Sequence, residues 1–233
     1  MIAKRGFVPE DEISFSPEGV KRMQTASAHV FYLINEGYDL KQAAAFVGNH
    51  LQLSERQRMA VMRSLASREQ LAAREKKRIG PGSLAGREVW IDGFNTVITL
   101  EVMLNESILF RGMDGCIRDL ASLRGTYRTI SETAQAVRLL IEQLQGTNVG
   151  RSHILLDRPV SNSGRLKTLI AETAEERSCD IDVQIIDDVD RILWEKANVI
   201  TSDAIILDHC SCWVNLLAEC VKKHGGRVLQ VWC

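Results

Sequence analysis

The sequence predicts an α/β fold: a parallel sheet of about five strands with helices on both faces, preceded by a small all-α N-terminal domain. Three observations predict it. Short apolar runs at "EVWID", "SHILLD", "DVQIID", "NVITSD" and "RVLQVW" alternate with helical stretches around residues 131–145, 163–177, 189–196 and 212–224, the pattern of helix-covered parallel strands. Ahead of residue 79 the apolar periodicity is helical instead. Between the two parts, "IGPGSLAG" at 79–86 holds three glycines and a proline and reads as a linker. The organisation expected is a helical, basic domain over 1–80, a linker over 81–87 and an α/β domain over 88–233.

With 233 residues, 45% of them apolar and 25% charged, the chain can build a packed core and shows no bias towards disorder. The start, "MIAKRGFVPEDEIS", has no apolar h-region, and no run approaches eighteen consecutive apolar residues, so neither a signal peptide nor a membrane span is indicated. A cytoplasmic protein is expected. Cys116, Cys179, Cys210, Cys212, Cys220 and Cys233 are scattered without CxxC spacing, which favours reduced thiols over a disulfide framework. "HCSC", from His209 to Cys212, lacks the second pair that a zinc site needs.

In the front part, Ser16-Pro17 opens a helix by cap and first-turn proline, Val20, Met23, Val30, Leu33 and Ile34 follow at helical spacing, and Gly37 ends it. Asp39 with Gln42 signals a second helix to about His50, and Ser54 with Gln57 a third. The second and third helices also fit a helix-turn-helix that reads DNA, although the pattern suits any small bundle. Residues 1–86 carry a net charge of +4 and residues 87–233 a net charge of −5. Arg56, Arg58, Arg63 and Arg68, followed by "REKKR" at 74–78, give the stretch 55–78 a balance of +5. Such a run is either a solvated face or a track for a phosphate backbone.

Four of the five strands end on aspartate: Asp92, Asp157, Asp187 and Asp203. One reading is local, with Asp92 and Asn95 capping the next helix. The other is positional. If the first strand is central, the second beside it and the fourth on its other side, then Asp157, Asp92 and Asp203 meet at the topological switch point and Asp187 lies at the rim. Crowded carboxylates repel unless a cation neutralises them, and an all-oxygen set suits Mg²⁺ or Mn²⁺. Such an ion can orient a water and stabilise charge on a phosphodiester. No P-loop, nucleophile elbow or dinucleotide fingerprint occurs, which argues against an NTPase, a serine hydrolase and a dinucleotide enzyme. In "DRPVSNSGR", residues 157–165, Ser161, Asn162 and Ser163 stand at a helix start between Arg158 and Arg165, either an ordinary capped loop or a phosphate pocket. Arg118, Arg124 and Arg128 are further substrate clamps or plain surface arginines. Trp194, spaced helically with Ile192 and Ala197, reads as core.

"IDGFN" at 91–95 resembles the opening strand of PIN-like and NYN-like nuclease domains, and "VITSD" at 199–203 resembles their later strand, where a Ser/Thr and an Asp share the metal site. Across most of its length the chain also resembles a prokaryotic two-part family of domains of unknown function, a helical front joined to a PIN-like back. Residues 114–128 and 155–166 are the stretches that carry this second likeness. The resemblance implies a PIN-like (Rossmannoid) fold and metal-dependent cleavage of RNA, with Asp92 and Asp203 as metal ligands. It also implies an acid from an intervening helix, for which Asp119 is the candidate and Asp114 and Glu132 the competitors. A further acid often follows the late aspartate; Asp208 stands five residues on and points away if a helix begins at 204.

The function expected is therefore a metal-dependent ribonuclease. Asp92, Asp157 and Asp203 hold Mg²⁺ or Mn²⁺ with Asp119 as the further acid, and Asn95 positions a water or phosphate. Arg118, Arg158, Ser161, Asn162, Ser163, Arg165 and Ser202 line the substrate, while Arg56 and Arg58 follow its backbone. RNA is the expected partner, a homodimer is also expected to be within reach, and no membrane is involved. The alternative is a nucleic-acid-binding or scaffold protein that keeps the fold without cleaving. A phosphatase with an aspartyl nucleophile fits less well, because Phe94 occupies the place of its second acid.

Overall fold

The computed structural model describes residues 4–121 and 125–233; Arg124 lies outside them. Its front helices begin where side chains take up free backbone N–H groups. After the single turn α1 (Asp11–Ser14), helix α2 (Pro17–Asn35) starts with Ser16 accepting from the Gly19 N–H, and α3 (Leu40–His50) with Asp39 accepting from Gln42. A full capping box between Ser54 and Gln57 starts α4 (Glu55–Ser64). That helix does not run on through the basic stretch. Leu65 leaves helical geometry, and a second capping box, Ser67 with Gln70, starts α5 (Arg68–Lys77). The glycine-rich segment is packed rather than free: Pro81–Leu84 forms a 3-10 turn, Leu84 is fully buried, and the Ile79 N–H donates to the Trp213 carbonyl.

The α/β part begins with β1 (Glu88–Asp92), α6 (Gly93–Leu104), β2 (Ile108–Arg111) and β3 (Ile117–Arg118). There follow α7 (Thr133–Gly146), β4 (Arg151–Asp157), α8 (Ser163–Glu176), β5 (Ile181–Ile186), α9 (Val189–Trp194) and β6 (Val199–Ile200). Helices α10 (Ala204–His209) and α11 (Leu216–His224) and strand β7 (Arg227–Leu229) complete the chain. The main sheet is parallel in the order β5-β4-β1-β6, with the first strand central as expected. It has four strands among the described residues rather than five. The run "RVLQVW" leaves it because β7 pairs in parallel with β2, Ile108 opposite Arg227, in a small sheet whose third member is β3.

Strand alternation divides the main sheet into two packed faces. Val89, Ile91, Ile154, Leu156 and Ile200 point into the largest core, with residues of α6, α7, α8 and α11. Leu155 and Val199 point the other way, onto Leu193 of α9, Ile206 and Leu207 of α10 and Trp213. Gly93 allows α6 to start this close to β4: a Cβ there would lie 2.8 Å from the Leu155 carbonyl oxygen. The small sheet joins the two parts of the chain. Its Leu109 and Ile117 face the large core, while Ile108 and Phe110 join Phe15, Met23, Val30 and Val61 of the front part, with the Phe15 and Phe110 rings 5.1 Å apart. Helix α4 packs on β2, with Ala60 and Val61 on its buried face. Among the described residues no helix is long and apolar enough to cross a membrane.

Candidate functional site

Asp92 ends β1, caps α6 and is 6% exposed. Its Oδ1 accepts from the Asn95 N–H at 3.2 Å and its Oδ2 from the Thr201 hydroxyl at 3.1 Å. Thr201 reaches it because Ile200 pairs with Ile91, which brings the next residue of each strand level. Asn95 then clips the same turn, its Oδ1 accepting from both the N–H and the hydroxyl of Ser202 at 2.9 Å. Asp203 caps α10, accepting from the Ile205 and Ile206 N–H groups at 2.8 and 3.2 Å. Capping and convergence are therefore both true of Asp92 and Asp203. The strand ends bring the caps together.

Their charges are felt. Burial, then the Asp203 and Asp190 carboxylates, push Asp92 from 3.8 to about 8, against the bonds from Asn95 and Thr201. Asp190, exposed in the first turn of α9, is pushed to about 6 by partial desolvation of its carboxylate, then by Asp203, Asp157 and Asp188. Asp157 is raised by burial and Asp188, with the Val189 N–H acting the other way. It stands beyond the level of Asp92, which pairs with Leu155, two residues or roughly 7 Å further along. The sequence reading passes over Asp190. It sits in "DDVD", where Asp188 caps α9 through the Arg191 N–H, and a first-turn acid just past a strand-end aspartate was the available signal.

The acids repel one another, yet among the described residues no three Asp, Glu, His or Cys side chains are placed to hold one metal ion. Asp92, Asp157 and Asp203 are each turned onto backbone donors. A donor set of this kind fits a hard ion held by one or two carboxylates with waters and substrate oxygens completing the shell; it does not form an all-protein cage.

Other expected site residues lie elsewhere. Asp119 accepts from the Thr99 hydroxyl and the Ala121 N–H, both at 2.8 Å, with Arg63 3.8 Å away. Burial raises its pKa and Arg63 leads the opposing effects, so its partners are those of the α6 flank rather than Asp92 or Asp203. Asp114 is gripped by Arg74 and Arg118, and Glu132 precedes α7 beside the Ser131 hydroxyl. Asp208 points away from the acids to Arg74, 2.6 Å from its Nε, as a helix starting at 204 requires. Ser161 and Asn162 do not line an anion pocket; both donate to the Tyr127 carbonyl, at 3.1 and 2.6 Å. Ser163 and the exposed Arg165 open α8. Arg158 pairs with Asp187 at the rim. Arg118 is buried on Asp114 and the Ser202 carbonyl, and Ser202 is itself taken up by Asn95. Arg56 is bound to Asp11 and Arg58 to Asn49 and the Leu53 carbonyl, so both are engaged within the front part. Arg128 is exposed, and its carbonyl accepts from Arg5. His209 stacks on Trp194 with ring centres 4.5 Å apart.

A family model described as "Domain of unknown function (DUF5616)" matches residues 81–219. The chain belongs to the DUF5616 family. The DUF5616 segment contains the whole acidic cluster, from Asp92 to Asp203. A second model, "Protein of unknown function (DUF434)", matches residues 22–77, from within α2 to the end of α5. Uncharacterized protein MJ0935 of Methanocaldococcus jannaschii is 32% identical over 193 residues, which cover 82% of this chain and 92% of that protein. No solved structure matches the chain.

Proposed function

We propose that this DUF5616 protein is a PIN-like, Mg²⁺- or Mn²⁺-dependent ribonuclease whose site is the carboxylate cluster at the switch point of the main sheet. The observation that carries the reading is Asp92, a buried carboxyl pushed to about 8 by burial and by the neighbouring Asp203 and Asp190. A divalent cation would be held by Asp92 and Asp203, and would supply charge stabilisation on the phosphodiester oxygens. Asp190, exposed at the edge of the cluster with a value of about 6, is suited to accept a proton from an attacking water at neutral pH. Asn95 sets the spacing between α6 and the turn after β6, since its Oδ1 is bound to Ser202. The front part contributes little of its expected basic track, because Arg56, Arg63, Arg74 and Lys77 are bound to groups of the protein. The absence of three ready-placed ligands among the described residues favours one other reading, a nucleic-acid-binding protein that does not cleave.

The test is Mn²⁺ titration calorimetry and cleavage of a mixed RNA pool by wild type, Asp92→Asn, Asp190→Asn, Asp203→Asn and Asp119→Asn. The first three variants are expected to lose cleavage, and Asp119→Asn to keep Mn²⁺ binding. Undiminished metal-dependent cleavage by Asp92→Asn removes the assignment. RNA binding by wild type without Mn²⁺ binding or cleavage establishes the non-cleaving reading instead.

A further inference from the structure

Strand β6 is two residues long and ends at Ile200, so the main sheet stops supporting the chain three residues before Asp203. The six-residue helix that follows is too short to be rigid by itself. Two buried guanidinium groups do what the sheet cannot. Arg118 Nε donates to the Ser202 carbonyl at 2.7 Å, and Arg74 Nη2 donates to the Ala204 carbonyl at 3.2 Å. These are the carbonyls on either side of Asp203.

A single carboxylate locks both arginines. Asp114, with its side chain 2% exposed, takes Arg118 through both oxygens, at 2.9 and 2.6 Å, and takes Arg74 Nη1 at 2.7 Å. The remaining edge of Arg74 meets Asp208 on α10 at 2.6 and 2.9 Å. Two cations and two anions balance. The planar fork of arginine fixes direction as well as distance. Arg74 comes from α5, within the stretch matched by DUF434, whereas Asp114, Arg118 and Asp208 lie within the DUF5616 segment. Trp213 fastens the same helix, its Nε1 donating to the Arg74 carbonyl at 2.8 Å, and Lys77 Nζ reaches the Asp208 carbonyl at 2.8 Å.

We propose that Arg74, Asp114 and Arg118 form a bracket that positions Asp203, so that the helical front part serves the acidic site by setting its geometry. The bracket gives the two family segments a reason to share one chain. An apolar replacement of similar volume often stabilises a fold as well as a buried ion network does, whereas no apolar side chain can hold two backbone carbonyls. The importance of Asp203 rests on the nuclease reading; the bracket itself does not.

The experiment uses the full chain with Arg74→Gln, Arg74→Lys and Asp114→Asn, and as control Leu144→Ala, a core change beside the start of β4 at the opposite end of the sheet. Hydrogen exchange of residues 201–206 is followed without metal, and Mn²⁺ affinity, kcat and KM on RNA well below each variant's melting temperature. Faster exchange in 201–206 is expected for Arg74→Gln and Asp114→Asn, with about 10- to 100-fold losses in Mn²⁺ affinity or kcat and little change in KM. Arg74→Lys is expected to recover part of each, and it serves where Arg74→Gln does not fold. Leu144→Ala is expected to lose stability without these changes. Exchange in 201–206 no faster than in Leu144→Ala overturns the bracket. If wild type neither binds Mn²⁺ nor cleaves, the nuclease reading falls, and hydrogen exchange alone decides the bracket.

Discussion

One oxygen, Oδ1 of Asn95, accepts both the N–H and the hydroxyl of Ser202, each at 2.9 Å, and so ties the first turn of α6 to the turn after β6. Ser202 is 3% exposed, and water cannot readily replace a lost acceptor there. Asn95→Ala is therefore expected to cost about 1–3 kcal/mol, the penalty of buried donors left without partners. Urea unfolding measures it. A loss below about 0.5 kcal/mol, the level of an ordinary surface change, would show that the turn finds other partners.

The Asp92 carboxyl gives the metal-free protein a pH dependence of definite sign. Its value rises on folding from 3.8 to about 8, so the native state keeps a proton that the unfolded chain releases above about pH 4. The associated stability is fully present below that pH and is lost as pH rises through 8. Asp114 acts in the opposite window: burial opposes its ionisation, but Arg118 and Arg74 prevail and hold it at about 2. Its contribution is present above 3.8 and is lost as pH falls through 2. The urea midpoint without metal is expected to decline from about pH 5 to about pH 8, and Asp92→Asn to flatten that decline. An unchanged slope in the variant would assign the effect to another group.

What the sequence makes legible is what local chemistry determines. Ser16, Asp39 and Ser54 cap their helices because a side chain three residues away needs no tertiary context; of the four aspartates read as strand ends, Asp92 and Asp157 end β1 and β4, whereas Asp187 follows β5 and Asp203 stands three residues beyond β6. The order of the four main strands agrees with the arrangement supposed for them, β1 between β4 and β6, but the apolar runs alone do not dictate it. Partners far apart in sequence are not legible. Nothing near Arg56 announces Asp11, and nothing in "REKKR" announces Asp208. The strand at 227–229 reads correctly as a strand, but its pairing with β2 depends on a core that includes Val231 and the front helices. Asp190 is hidden because a short helix after a strand looks like any other.

Removal of the front part is expected to unmask the small sheet. Ile108, Phe110, Leu120 and Val231 are buried against residues such as Met23, Val47 and Val61, and residues 79–233 alone would expose them as one apolar patch. That fragment is expected to associate or to bind a hydrophobic dye, and co-expressed residues 4–78 to restore a single species. A monomeric fragment that unfolds cooperatively within a few degrees of the full chain would make the front part an independent appendage.

Arg56 decides whether the basic helices serve the fold or an RNA backbone. Its Nε lies 2.5 Å from Asp11 Oδ1 and its Nη2 2.8 Å from both Asp11 Oδ2 and the Gly6 carbonyl, while the Asp11 side chain is 2% exposed. Arg56→Gln would strand that carboxylate. Breaking a fully buried pair costs about 3–5 kcal/mol; the cost here is expected to be smaller, because the Arg56 side chain is 20% exposed. A phosphate contact has a different signature, a change of about 0.7 in the slope of log affinity against log salt for each cation on a single strand. The expected outcome is a lower melting temperature with an unchanged slope. Lys76, exposed on α5, is the contrast: Lys76→Gln is expected to leave stability within about 0.5 kcal/mol, and to shallow the slope by about 0.7 if RNA follows that helix. A shallower slope in Arg56→Gln with stability intact would show that the Asp11 pair opens for phosphate and that the basic track is real.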